Sequence, residues 1–507
     1  MRLLRGRTGL VVSASQQLRC PEEANMPKTT PLRDVYRVAA SMTFNREGLR
    51  GFIAVLLLAT PPMSALAQPI EEDFKLTADD AGWLHRFGGS VAIDGPIAIV
   101  GSPSSPSPLI GTGAAYVFDT STGQQLLKLE ANDASEDDLL GSSVALSGNI
   151  AVVGAFGDDS AAFNAGAAYV FDVSTGEQLF KLTASDANAS MEFGTPVAIS
   201  GSRVIVGARD ARQAGIAKGA AYVFDLTTGE QLHKLSASDA QLNDQFGFAV
   251  AIDGTIAVVG APTADSDGPS ARLQNNPVEN CGAVYVFDLT TGEELLKLHD
   301  DDLLDNDFFG RQVAISGTRV AISSSQEENI ASYAGSVLVF DLSTEQTVRK
   351  LTACDGLADN GFGYTLALSG STAVMGALWD ENGAATGNAY IVDIDTGTLL
   401  HRLRASDGEV GDAFGNAVDI RGGSVIIGAS RDSDAGTYSG SAYIYTLPPT
   451  NPCHGDVTGD YRVDMADLNL VLSAFGQNAF CGDATGGGVV DLADLNLVLA
   501  NYGRTCD

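Results

Sequence analysis

Residues 193–235 read FGTPVAISGSRVIVGARDARQAGIAKGAAYVFDLTTGEQLHKL, and this stretch decides the fold. It holds four short runs, Val197-Ala198-Ile199, Val204-Ile205-Val206-Gly207, Ala221-Tyr222-Val223-Phe224 and Gln231-Leu232-His233-Lys234-Leu235. β-Branched and aromatic residues dominate them, and Gly, Asp, Ser and Thr fill the gaps, which is the signature of strands joined by turns. Asp225 to Gly229 is a hairpin connection in which the glycine supplies a positive φ. The runs are almost continuously apolar instead of alternating. Strands of that kind are buried on both faces, so the unit needs a neighbour on each side.

Working outward, the same unit recurs. Phe-Gly pairs stand at Phe87-Gly88, Phe193-Gly194, Phe246-Gly247, Phe309-Gly310, Phe362-Gly363 and Phe414-Gly415, and Leu140-Gly141 fills the remaining place. The spacings are 53, 53, 53, 63, 53 and 52, the long interval coming from an inserted loop around residues 265–281. Seven four-stranded units over residues 71–447 predict a β-propeller, with an open solenoid as the alternative. The phase of the repeat predicts how the ring closes. Lys75-Leu76, a fourth-strand pair, precedes the first Phe-Gly, whereas the last unit stops at its third strand, Ser441 to Thr446. The strand around Asp73–Thr77 is therefore expected to complete the seventh blade and remove the open edges.

Pro448, Pro449 and Pro452 mark a linker over residues 448–453, and a module of different character follows over residues 454–507. The sequence ADLNLVL occurs there twice, at 466–472 and 493–499, each time after an acidic loop. In the first loop Asp456, Thr458, Asp460, Asp464 and Asp467 take positions 1, 3, 5, 9 and 12, with the Arg462 carbonyl at position 7. Such oxygen-ligand spacing is that of an EF-hand-like loop holding Ca2+. The second loop offers Asp483, Thr485, Asp491, Asp494 and the Val489 carbonyl, with Gly487 at position 5, so weaker calcium binding is expected of it. Leu468, Val471, Leu472 and Phe475 then form one apolar face of a short helix. The expected class is mainly β, a propeller plus a small α-helical calcium module.

With 30 basic and 63 acidic residues the chain carries −33, which disfavours nucleic acid and anionic membrane surfaces. Apolar residues make up 45% and charged residues 18%, enough for a large core. Residues 52–59, FIAVLLLA, follow Arg46 and Arg50 and precede Ser64-Ala65-Leu66-Ala67. A basic flank, a short apolar core and small residues at the end predict a signal peptide over 42–67, cleaved after Ala67. Residues 1–41 read as an extension, Met42 being the expected start. The apolar run is far short of the ~20 residues of a membrane span. The mature chain would keep 21 basic and 59 acidic residues, or −38, and is expected to be secreted or on the cell surface, as a monomer.

The Phe-Gly and Gly-Ala-Pro alternation resembles FG-GAP repeats, related to the propeller head of integrin α subunits. Gly260-Ala261-Pro262 matches in full; Gly154-Ala155, Gly207-Ala208, Gly376-Ala377 and Gly428-Ala429 keep two residues, and Ser323 departs. The resemblance implies a binding or adhesion platform. Calcium loops of the Asp-x-Asp-x-Asp-Gly kind are missing from these blades, Asp265 and Asp267 before Gly268 being a fragment of one. The duplicated loop and helix is similar to type I dockerin, which implies calcium-dependent docking to a cohesin-type partner in polysaccharide-degrading systems. Loop positions 10 and 11, which often set partner choice in that family, are the apolar Met465-Ala466 and Leu492-Ala493, a departure from its docking surface.

Export makes disulfides among Cys453, Cys481 and Cys506 plausible, with connectivity open, and a bridge between Cys281 and Cys354 is an option because both sit in loops of neighbouring blades. His85, His233, His299, His401 and His454 share no repeat position, and several are expected at the surface. No nucleophile elbow, zinc helix or phosphate loop is present. A pyrroloquinoline-quinone propeller is a further resemblance through Tyr-Val-Phe-Asp and Thr-Gly-Glu, but such blades each carry a docking tryptophan and this chain has only Trp83 and Trp379. A secreted platform for protein or glycan is therefore the favoured expectation. A dockerin-bearing glycoside hydrolase, or an accessory protein in polysaccharide breakdown, is the alternative.

Overall fold

The computed structural model describes residues 70–105, 111–265, 280–300, 304–324, 335–352, 361–378, 386–448, 457, 463–476 and 490–503. The expected signal peptide, the linker cysteine Cys453, and Cys354, Cys481 and Cys506 lie outside them. Seven antiparallel four-stranded sheets make up the fold. Six take their strands in sequence order. The seventh is built from Phe414–Arg421, Ser424–Ala429 and Ser441–Thr446, with Phe74–Leu76 as its outer strand in the register Phe74↔Ile444, Lys75↔Tyr443 and Leu76↔Ala442. The innermost strands follow one another around an axis, and Phe414–Arg421 returns to lie against the first, Ser90–Asp94. The molecule is a seven-bladed propeller.

Burial follows position in the blade. Second strands such as Arg203–Ala208 and third strands such as Ala220–Asp225 are buried along nearly their whole length. The outer strand Glu177–Leu182 alternates, because its edge meets water. Blades are pinned at the repeated Phe. Phe193 packs edge-on against Tyr222 and Phe224 of its own blade, with centroids 5.6 and 5.9 Å away, and Phe246 does the same with Tyr285 and Phe287.

The glycine after each Phe is required by contact. A Cβ on Gly141 (φ +90°) would lie 2.3 Å from the Ala114 carbonyl oxygen, and one on Gly101 would lie 2.1 Å from the Gly141 oxygen. In most blades this glycine (after Leu140 in the second) is thus wedged between the second-strand glycine of the blade before and that of its own blade, to which its N–H bonds (Gly141 N to Gly154 O, 2.9 Å); in blade five Ser323 takes that place and accepts from Gly310 N. The motif marks a backbone crossing where only hydrogen fits.

At the opposite end of the inner strands, side chains stitch blade to blade. Asp94 accepts from Gly148 N, Ser200 from Gly254 N, Asp253 from Gly317 N, Ser316 from Gly370 N and Ser369 from Gly422 N. The third blade carries an extra two-stranded hairpin, Arg212–Gln213 with Ile216–Ala217, in the connection between its second and third strands.

In the C-terminal module helix α1 spans Met465–Ala474 and helix α2 spans Leu492–Asn501. Their connections cross: Gly476 N donates to Val490 O at 2.8 Å, and Gly503 N donates to Val463 O at 2.7 Å. Each unit's end is tied to the other unit's beginning. Leu470 of α1, with Val348 and Leu368, packs against the apolar cluster containing Ala314, Val339 and Leu366.

Candidate functional site

One face of the ring carries the long connections, and a cation site recurs there in blade after blade. The third strand presents a tyrosine, the fourth a lysine, and the loop entering the blade an aspartate. In the first blade Tyr116 Oη donates to Asp80 Oδ1 at 2.7 Å, Lys128 Nζ to Asp80 Oδ2 at 2.8 Å, and the ammonium lies 5.7 Å from the Tyr116 ring centroid. The same triangle forms from Tyr222, Lys234 and Asp186, and from Tyr285, Lys297 and Asp239. Burial acts to raise the carboxyls of Asp80, Asp186 and Asp239, but their lysine and tyrosine hydrogen bonds outweigh it and hold them below the ordinary range. Burial and the same aspartates push the tyrosines well above theirs.

Two blades add a second, buried carboxylate. In blade two Lys181 Nζ reaches both Asp133 (2.6 Å) and Asp158 (2.7 Å), and Tyr169 Oη donates to both. In blade seven Lys75 Nζ sits among Asp407, Asp432 and Asp434 at 2.6, 2.8 and 2.7 Å. These three carboxylates are close enough together to hold a metal ion, but the lysine ammonium already occupies that position. Asp138 lies deeper in blade two, 3% exposed, accepting from Ser135 N, and burial with the nearby Asp158 pushes its carboxyl up to about 6.

The propeller axis is a channel with a cavity of about 530 Å³. Around one mouth the residues after the Phe-Gly pairs form a ring: Gly89, Ser142, Thr195, Phe248, Arg311, Tyr364 and Asn416. Below it the lining mixes Ala, Val, Leu and Ile with Ser90, Ser143, Gln312, Thr365 and Asp419; Asp419 stands where the other six blades have alanine and accepts from Ile93 N and Ile420 N. Burial pushes the Asp419 carboxyl up to about 6.

In the C-terminal module the two described members of each expected ligand set lie at a helix start. Asp464 caps α1, accepting from Ala466 N, and its own N–H donates to Asp467 Oδ2 at 2.7 Å; Val457 N donates to Asp467 Oδ1 at 2.8 Å. Asp491 and Asp494 repeat the box at α2. Asp467 and Asp494 are fully buried. Asp456, Thr458, Asp460, Arg462, Asp483, Thr485 and Val489 lie outside the described residues.

Cys281 is fully buried, its Sγ 3.6 Å from the Ala264 carbonyl oxygen. The surface expectation for the fourth-strand histidines fails for His401, which is buried and pushed down to about 4 by desolvation; His85, in the loop before Phe87, is buried too. Each fills a position where the strand or loop around it is packed, so the neutral ring serves as core. The lysine triangles and the channel-mouth ring were missed in the sequence. Lys-Leu and Tyr-Val-Phe recur in most units, an aspartate stands four residues after the fourth-strand leucine in every unit, and that common recurrence was the available signal.

A comparison with curated proteins found no match to the chain. The family model described as FG-GAP repeat matches seven times, at residues 71–118, 124–171, 177–224, 230–287, 293–340, 346–392 and 398–445. These matches cover well over half of the chain and share their period with the blades, so the protein belongs to the FG-GAP repeat family.

Proposed function

We propose that this protein is an exported, non-catalytic binding platform that captures a protein or glycan on the long-connection face, its ring held shut by the Phe74–Leu76 clasp. The observation that carries this reading is the contrast within that face. Its carboxylates are largely tied to lysine and tyrosine, while large apolar side chains stand out on its loops: Trp83 is 70% exposed, Phe163 66% and Val410 74%. Trp83 and Tyr438 sit on adjoining loops, joined by Leu84 N to Thr437 O at 2.9 Å and Arg86 N to Tyr438 O at 3.0 Å. Exposed aromatic rings on rigidly held loops suit sugar faces and protein anchors alike. Screening the full chain against glycan and surface-protein arrays tests the reading. Saturable binding that Trp83→Ala weakens supports it, and absence of any saturable ligand overturns it.

The C-terminal module is read as a calcium-dependent docking unit. Asp464, Asp467, Asp491 and Asp494 offer only hard oxygen donors, two of them buried, which fits a cation such as Ca2+. With Asp456, Thr458, Asp460 and the Arg462 carbonyl, and with Asp483, Thr485 and the Val489 carbonyl, they would hold one ion per loop. A cohesin-type module is the first partner to offer, with calcium and then with chelator.

A hydrolase acting on glycosidic bonds is the second reading, favoured by one feature. Asp138 and Asp158 in blade two have their carboxyls pushed apart, one up and one down, as an acid and base pair requires. Both are almost wholly buried, which weighs against substrate contact. Release of reducing sugar by the full chain, abolished in Asp138→Asn, would establish it.

A further inference from the structure

In this acidic protein the described basic side chains mostly face carboxylates: Lys75, Lys128, Lys181, Lys234, Lys297 and Lys350 all do. Arg311 does not. Among the described residues its guanidinium lies between two rings at the channel mouth, 5.6 Å from the Phe248 centroid and 5.4 Å from that of Tyr364. Arg209 lies over the same Phe248 ring, 5.5 Å from its centroid. Arg209 is itself paired with Glu192 and lies 3.8 Å from Asp210, so of the two guanidinium groups against Phe248 it is Arg311 that faces no carboxylate among the described residues.

We propose that this mouth of the axial channel binds a small organic monocarboxylate through Arg311. Three observations converge. Aromatic faces hold the guanidinium but offer no lone pairs, so its five N–H donors still need acceptors. A carboxylate matches that fork in a bidentate pair. The bulky residues occupy one arc of the ring, while Gly89, Ser142 and Thr195 leave the other arc open above a cavity of about 530 Å³, a size ordinary for small-ligand sites. The charge count selects the anion. One guanidinium with no carboxylate against it matches a monoanion, and the acidic chain around it, −33 overall, disfavours a phosphate dianion. The Ala, Val, Leu and Ile side chains within the mixed lining below the mouth leave contacts for a carboxylate borne on a ring or short hydrocarbon.

The inference rests on reading the propeller as a binding platform, but it is tested at the channel and not at the loops. The probe is 4-fluorobenzoate, titrated into the full chain and followed by 19F line broadening, with 4-fluorobenzamide and inorganic phosphate as competitors. Saturable binding is expected, unaffected by the amide, displaced poorly by phosphate, and weakened about ten-fold or more in Arg311→Gln. Arg311→Lys, which keeps the charge but not the fork, should fall between. Arg421→Gln, at the opposite end of the inner strands, should bind as the parent does, and unchanged thermal unfolding of each variant excludes misfolding. Equal binding by Arg311→Gln, tighter binding of phosphate, or no saturable binding overturns the proposal. Trp83→Ala should leave this titration untouched, so failure here and failure of the loop-face reading remain distinguishable.

Discussion

Blade seven and the C-terminal module both gather aspartates, but only in blade seven do the described residues bring a lysine to them. In blade seven Asp407, Asp432 and Asp434 close on the ammonium of Lys75, supplied by the N-terminal strand. Burial opposes that charge, yet three carboxylate hydrogen bonds raise the lysine well above its ordinary range. Residues 454–507 contain eight aspartates, two arginines and no lysine, and two of those carboxylates are fully buried at helix starts. Acidic clustering therefore does not identify a metal site by itself. What distinguishes the two regions is whether the chain delivers its own cation.

The sharpest way to test this difference is removal of divalent cations. Chelation of the full chain should unfold α1 and α2 and leave the propeller intact. Hydrogen exchange would then show the amides of Met465–Ala474 and Leu492–Asn501 losing protection by orders of magnitude while those of Ala220–Asp225 are unchanged. Protection of the helices that survives chelation would break the comparison.

Next in size is Lys75→Met, which leaves Asp432, 3% exposed, without its counter-charge. Breaking a buried pair from one side costs ~3–5 kcal/mol, and Lys75 retains 21% exposure, so the lower end is expected in urea unfolding. Because Lys75 belongs to the strand beside Ser441–Thr446, the loss should also speed exchange along that edge. Added calcium should recover part of the stability in the variant and none in the parent. Lys234→Met is the smaller counterpart. Its partner Asp186 is 44% exposed, and a loss of about 1 kcal/mol or less is expected.

These differences also explain which features were legible in the sequence. The blade count and strand positions could be read because each unit repeats a buried pattern and a backbone crossing that admits only glycine. The lysine triangles could not, because the aspartate that holds Lys128 lies 48 residues earlier, in the loop entering the same blade, while Asp133 five residues later serves Lys181 instead. Proximity in sequence points to the wrong partner. The channel-mouth ring was harder still, since Gly89, Ser142, Thr195, Phe248, Arg311, Tyr364 and Asn416 share a position and no chemistry. The expected calcium loops were the reverse case, a spacing plain in the sequence whose described ligand residues are only the capping pair at each helix.

The smallest effect concerns the sign of a pH dependence inside one blade. Asp158 is held below its ordinary range: burial acts to raise it, but Lys181, Ser160 and Tyr169 outweigh that. Its contribution is present above the unfolded value of 3.8 and is lost as pH falls through the depressed folded value. Asp138 behaves oppositely. Desolvation first, then Asp158 and Asp133, raise it to about 6, so the folded state binds its proton more tightly than the unfolded chain does. The stability it contributes is full below 3.8 and is lost as pH rises through about 6. Asp138→Asn should remove that downward slope between about pH 4 and 6 and leave the variant more stable at pH 7. The gain is about 1 kcal/mol, since relief of the buried charge, at 1.36 kcal/mol per pH unit, is partly offset by a weaker bond from Ser135 N. Thermal unfolding of both proteins from pH 4 to pH 8 measures it. Parallel curves would mean that Asp138 ionises freely in the folded blade and that Lys181, not burial, governs both carboxylates.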